Sequence, residues 1–271
     1  MTKGRSGVSI YVAAATAWRR GRRVALLAGF GYLGAAGLRA QDTFSLVLFD
    51  PATGAFVSAG GSCIDGDAIE GGAAVISHVL PGVGVVHTQS YYHADNQALG
   101  ARLLAGGLSA KPLLDSLLAG DVSLTPSFRQ YIVYTSAPAT DHGAGAAYTG
   151  EDSADWKGHL VGPGYVLAGN ILLDSTVLRR METALLDARE RGGDVAAQGR
   201  AALRAAAFPG ADRRCLEAGL SCRSAFFRLA LPTDAPDDLT VDARVLYPDG
   251  DRDPILTLLE QVRNPAPPSG Q

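Results

Sequence analysis

Asp42-Thr43-Phe44-Ser45-Leu46-Val47-Leu48-Phe49, followed by Asp50-Pro51-Ala52-Thr53-Gly54, opens the part of the chain that carries a fold. Residues 42–49 alternate and are rich in Phe, Leu and Val, which is the pattern of a β-strand. Pro51 fixes φ and Gly54 supplies a left-handed position, so residues 50–54 form a turn. Residues 55–62 return as a second strand, and the unit is a hairpin.

The rest of the chain is read outward from that hairpin. Gly82 and Gly84 flank a strand over 83–90. Asp95 is placed to cap a helix over 96–105, with Leu99, Leu103 and Leu104 on one face. Ser109 is placed to cap a second helix over 110–119, where Pro112 sits in the first turn and no amide is missed. Strands follow at 129–136, 146–149 and 165–172, with a loop tip at 137–145 and a Gly-punctuated loop around 156–164. Residues 175–191 form a helix that presents Val177, Leu178, Met181, Leu185 and Ala188 on one side, and Gly192-Gly193 ends it. An Ala-rich helix spans 195–207. Strands at 225–231 and 239–247 and a helix at 254–262 close the domain, 41–263, and 264–271 is a frayed Pro-rich tail. The order is strands, helix pair, strands, helix pair, strands. Strand and helix do not alternate, so a doubly wound parallel sheet is disfavoured. An α+β fold of two sheets packed face to face, with helices outside, fits the order.

Upstream lies a segment of different character. Residues 1–40 hold seven basic residues and no acid. Arg19 to Arg23 is a basic cluster, Val24 to Leu38 an apolar run, and Ala40 a small residue at its end. That sequence of features reads as a secretory signal peptide over 1–40. The run is short for a membrane span of about 20 residues, although a retained anchor is the alternative. Arg22-Arg23-Val24-Ala25-Leu26-Leu27 loosely resembles a twin-arginine signal without its usual aromatic. The chain is therefore expected to be secreted or periplasmic, and off the membrane once the signal is removed.

Beyond residue 40 there are 17 basic and 27 acidic residues. An acidic body is a poor match for nucleic acid. With 47% apolar residues among 271, the chain can bury a core. Its three cysteines exclude a disulfide-rich mini-scaffold. In an oxidising compartment Cys63, Cys215 and Cys222 permit one disulfide, with Cys63–Cys215 and Cys215–Cys222 both open.

Four side chains stand out as candidates for chemistry. A Thr hydroxyl is a weak nucleophile unless a base lies beside it, and a Thr that becomes the chain's N-terminus carries its own base. Thr43 is two residues beyond the expected cut. Gln89, between a strand and a helix, can both donate to and accept from a substrate amide. His159 is the one His of the Gly-rich loop. Asn170 follows Gly169 inside an apolar strand, where Gly permits close backbone approach and Asn can donate to an oxyanion. His87 and His93 match no metal-ligand spacing on a helix, so no metal and no cofactor is expected. Gly-x-Ser-x-Gly, Gly-x4-Gly-Lys-Ser/Thr and His-Glu-x-x-His are all missing.

Taken together, these residues resemble the bacterial domain of unknown function 1028 family, grouped with the N-terminal nucleophile hydrolases. The carriers are Thr43 to Val47 with Asp50-Pro51-x-Thr53-Gly54, Gly84 through Gln89, Ala105 to Ser109, Arg129-Gln130, Tyr148 to Gly150, Gly158-His159, Gly164-Tyr165 and Gly169 to Leu172. Gly61-Ser62-Cys63 and Asp212 to Cys215 resemble a secreted subgroup. The resemblance implies a four-layer αββα sandwich, Thr43 as nucleophile with its freed amine as base, and cleavage of an amide bond. Gln89, His159 and Asn170 would orient the substrate or stabilise the oxyanion. The implied partner is a small-molecule amide or peptide-like substrate, and a homo-oligomer is left open. Two features depart from the pattern. Gln41-Asp42 precedes Thr43 after a cut at Ala40, and the first Lys beyond residue 40 is Lys111. They motivate a second expectation, a non-catalytic cell-envelope module that binds a small molecule.

Overall fold

A computed structural model describes residues 43–136 and 143–263. The expected signal peptide, most of the expected loop tip and the Pro-rich tail lie outside the described residues, which all belong to the compact unit 38–271.

Among the described residues ten strands form two antiparallel sheets. β1 (Phe44–Phe49), β2 (Phe56–Ser62), β7 (Gly158–Gly162), β8 (Tyr165–Gly169), β9 (Ser224–Ala230) and β10 (Val241–Val245) make a six-stranded sheet in the order β10-β9-β2-β1-β8-β7. β3 (Ser77–Leu80), β4 (Gly84–Gln89), β5 (Gln130–Thr135) and β6 (Ala144–Thr149) make a four-stranded sheet in chain order. The described residues also form the α-helices α1 (Ala94–Ala105), α2 (Ala110–Ala119), α3 (Thr176–Glu190), α4 (Val195–Ala205) and α5 (Pro254–Gln261). The fold is mixed α+β.

Strand alternation builds the core. Leu46 and Leu48 point to one side of β1, where they pack with Val177, Met181, Leu185 and Leu203 of α3 and α4 and Leu258 of α5. Val47 and Phe49 point to the other, onto Val85 of β4 and Ile132 and Tyr134 of β5. The far face of the small sheet carries Val86, Tyr131 and Val133 against Leu104 of α1 and Leu113 and Leu117 of α2. Each such aliphatic side chain contributes about 1.5–3 kcal/mol by leaving water. The apolar face expected for 175–191 is the buried face of α3.

Several boundaries differ from the sequence reading, each for a local reason. The Gly-punctuated loop contains β7, an edge strand that pairs His159 with Ala168 through the tight turn at Pro163-Gly164. Its brevity and flanking glycines hide it from a pattern count. β3 is a four-residue edge strand whose partly buried pattern was also too short to register. β6 begins at Ala144 because Gly145 belongs to it: a side chain there would meet Val166 at 2.8 Å. α1 begins at Ala94, capped by His93, whose Nδ1 accepts from the Asp95 amide. The helix is thus capped two residues earlier than Asp95 suggested. Ser109 holds the N-cap position of α2, but Thr135 Oγ1 accepts the Ala110 amide. β8 stops at Gly169 because Ile171 takes φ +48°, which turns the chain out of the sheet. The cysteines resolve as Cys63–Cys215, with Cys222 free and buried.

Candidate active site

At one end of the layer between the sheets the side chains change from apolar to polar. β1 begins there, β2, β4, β6 and β8 end there, and β5 begins there. Thr43 precedes β1 and is fully buried. Its carbonyl accepts from the Asn170 amide at 3.2 Å and from Gln89 Nε2 at 3.3 Å. Thr43, Gln89 and Asn170, far apart in sequence, therefore converge on one backbone group.

Behind them runs a chain of buried hydrogen bonds. Gln89 Nε2 also donates to Gln130 Oε1 at 2.6 Å, and Asn170 Nδ2 donates to the same oxygen at 3.0 Å. Gln130 Nε2 faces the carbonyls of Gly158 and Gly169 and the Thr149 hydroxyl at 2.8–3.1 Å. Both amides are thereby fixed in orientation, since each nitrogen meets carbonyl oxygens. Ser45 Oγ donates to Gln89 Oε1 at 2.6 Å. Its one hydrogen is spent there, so it accepts from His87 Nδ1 at 3.0 Å. His87 Nε2 then accepts from Ser58 Oγ at 2.7 Å, and Ser58 accepts from Ser77 at 2.7 Å. The imidazole must be neutral for this pattern. Burial first, and the Arg228 guanidinium second, lower its pKa to about 3.

This ordering bears on what Ser45, His87 and His93 can do. Ser45 and His87 are not a nucleophile and base, because the imidazole donates to the hydroxyl rather than accepting from it. Both His87 ring nitrogens are taken by serines and His93 caps α1, so neither is presented as a metal ligand. No group of three or more His, Cys, Asp or Glu side chains suited to a metal occurs among the described residues.

The network has two open ends. Asn170 Oδ1 and Ser90 Oγ are buried and have no hydrogen-bond partner among the described residues. At the other end His159 Nδ1 lies 2.8 Å from Thr149 Oγ1 and the ring reaches solvent. Burial lowers the His159 pKa below its ordinary value.

Backbone strain flanks the same place. Ser90 and Tyr91, directly after Gln89, have φ of +56° and +50°, and Ile171, directly after Asn170, has +48°. Such conformations cost of order 1–3 kcal/mol each and persist only where the surroundings enforce them. Around Tyr91 the enforcer is Arg129. Its guanidinium donates to the Tyr91 carbonyl and pairs with Asp121 at 2.7 Å, both side chains buried. Asn96 and Tyr131 also bond to Asp121.

Residues 43–258 match the family described as a family of unknown function, DUF1028. The chain belongs to the DUF1028 family. A crystal structure of a protein from Silicibacter pomeroyi with the same family description is similar in fold, with a TM-score of 0.60 and 23% identity over 82% of this chain and 88% of that one. No curated protein is significantly similar to the chain.

Within this DUF1028 domain, Thr43, Gln89 and Asn170 lie together, and His159 joins them through Thr149 and Gln130. Sequence reasoning missed the centre of the network. Gln130 makes or accepts the bonds that link Gln89, Asn170 and Thr149. Its signal was a polar residue opening the apolar strand Gln-Tyr-Ile-Val-Tyr-Thr. Ser45 and Ser58 were also missed, because an inward serine in a strand looks like any alternating polar residue.

Proposed function

We propose that this protein is a secreted amidohydrolase of the N-terminal nucleophile type, acting on a small amide or peptide-like substrate. The observation that carries the reading is the convergence of Gln89 and Asn170 on Thr43 at the start of β1. The arrangement of helices outside both sheets supports assignment to the four-layer αββα sandwich of that superfamily. The basic and apolar segment 1–40 supports export.

In this reading the bond between Asp42 and Thr43 is cut first. The Thr43 hydroxyl attacks the Asp42 carbonyl, the acyl group shifts from nitrogen to oxygen, and water hydrolyses the ester. The freed amine then takes the hydroxyl proton as Thr43 Oγ attacks the substrate carbonyl carbon. The proton passes to the leaving amine as the carbon–nitrogen bond breaks, and water releases the acyl group from Oγ. Asn170 has one Nδ2 hydrogen committed to Gln130, which leaves the other for the oxyanion and Oδ1 for a substrate N–H. Gln89 holds Thr43 from the opposite sheet.

The test is hydrolysis of a panel of small amides by wild type and Thr43→Ala. Turnover that falls by roughly a thousandfold in a folded variant supports the reading. Equal turnover rejects it. Thr43 is fully buried and Gln41-Asp42 precede it in the chain, which favours a second reading, a non-catalytic envelope module that binds a small molecule. Saturable binding of those amides with no product, by an unprocessed chain, is its outcome.

A further inference from the structure

Thr43 stands at the end of a strand flanked by β2 and β8, and those two flanks are tied to each other by one short segment. The register places Phe44 opposite Gly61 of β2 and Gly169 of β8. Just beyond each partner the chain meets residues 211–215. On the β2 side, the Asp212 carboxylate accepts the Cys63 amide at 2.8 Å, and Cys63 is disulfide-bonded to Cys215. On the β8 side, Asp212 forms a bridge with Leu172, and the Arg213 amide donates to the Ile171 carbonyl at 2.9 Å. Ile171 is the residue with φ +48° that directly follows Asn170.

Asp212 is completely buried, and its charge is matched by Arg214, whose Nη2 lies 2.6 Å from Oδ2. A buried carboxylate held this way is costly to keep and strongly destabilising to half-remove. Its bonds reach both flanks of β1, and Leu172 on one of them belongs to the core under α3 and α4. They connect the ends of β2 and β8, the two strands that flank β1 directly after Thr43.

We infer that Asp212 is a positioning residue for this site, and that the Cys63–Cys215 disulfide latches it in place. With the latch closed, the Ile171 turn is enforced and Asn170 is held beside Thr43. With the two sulfurs reduced to thiols by an added thiol or phosphine, the segment that carries Asp212 loses its covalent tie to the end of β2, and only the hydrogen bond from the Cys63 amide is left there. The Ile171 turn then relaxes and Asn170 leaves its place. The site is competent in the oxidised chain and loosened in the reduced one. The positional part rests on the contacts alone; its consequence for turnover rests on the hydrolase reading.

The experiment is hydrogen exchange followed by mass spectrometry on the full exported chain, oxidised and reduced, with Asp212→Asn in parallel. The expected result is that the amides of Cys63, Arg213 and residues 170–173 exchange at least about tenfold faster on reduction and in D212N, while those of β4 and β5 are unchanged. Unchanged protection at 170–173 overturns the inference. So does an equal rise throughout both sheets, which would make the disulfide a general staple. On an amide that the oxidised protein turns over, kcat falls roughly ten- to hundredfold on reduction with KM within about twofold, and reoxidation restores it. Unchanged kcat despite faster local exchange also overturns it. If the oxidised protein turns over no amide, the proposed function fails, and the exchange pattern by itself decides this inference.

Discussion

Gln89 Nε2 donates to Gln130 Oε1 across 2.6 Å, and this bond joins β4 to β5 on the inward face of the small sheet. Because Gln130 in turn holds Asn170 and the Gly158 and Gly169 carbonyls, it connects the two sheets at the polar end of the layer. Replacing Gln130 by Glu keeps the shape but turns a donor toward two carbonyls into an acceptor. The expected cost is about 3 kcal/mol, from unsatisfied buried acceptors and an unpaired charge. Urea unfolding of Gln130→Glu measures it, and a loss below about 0.5 kcal/mol would remove Gln130 from the centre of the network.

His87 gives the protein a specific acid sensitivity. The folded chain keeps the imidazole neutral down to about pH 3, whereas the unfolded chain protonates it near pH 6.5. The unfolded state therefore holds the extra proton in between. This contribution is intact above pH 6.5 and declines as the pH falls toward 3, at up to about 1.4 kcal/mol per unit. Urea midpoints at pH 7.5 and pH 5.0 should differ in wild type, and the difference should shrink in His87→Gln. An undiminished difference would place the sensitivity elsewhere.

Asp121 acts in a lower window. Burial alone would raise its carboxyl, but bonds from Arg129 and the Thr125 amide outweigh burial and hold the pKa at about 2. Its stabilisation is present above pH 4 and lost as the pH falls through 2. Asp121→Asn leaves Arg129 buried without its carboxylate and should cost about 3–5 kcal/mol. It should also release Tyr91, seen as faster exchange at residues 90–92. A stable variant with unchanged exchange there would show that Arg129 does not hold the strained turn.

Gly145 tests the packing of the inter-sheet layer. A methyl group there would lie 2.8 Å from Val166 and 3.0 Å from the Tyr134 ring. Both neighbours are buried, so Gly145→Ala should destabilise by about 1–3 kcal/mol. A neutral effect in thermal unfolding would mean that the layer is more loosely packed than described.

The hairpin of β1 and β2, the order of elements and the inward face of α3 were legible because each rests on local periodicity over many residues. β3 and β7 were not, because an edge strand of four or five residues carries too few alternations to stand out from a loop. Thr43 could be singled out as a hydroxyl opening a strand, Gln89 as an amide between a strand and a helix, and Asn170 as a polar residue after Gly inside an apolar run. Their convergence could not, because it depends on the register of β1 against β8 and on sheets meeting face to face. Gln130 and Asp212 were hidden for the same reason: each looks ordinary until partners from distant segments arrive. The strain at Ser90, Tyr91 and Ile171 runs against residue preference, so no propensity argument reaches it.

In the proposed mechanism Thr43 becomes the first residue of the working protein. Intact mass with N-terminal sequencing of the exported chain tests it most directly. The expected result is a chain that begins at Thr43 in wild type and retains Asp42 in Thr43→Ala. A wild-type chain that begins at Gln41, or at its cyclised form, would contradict it.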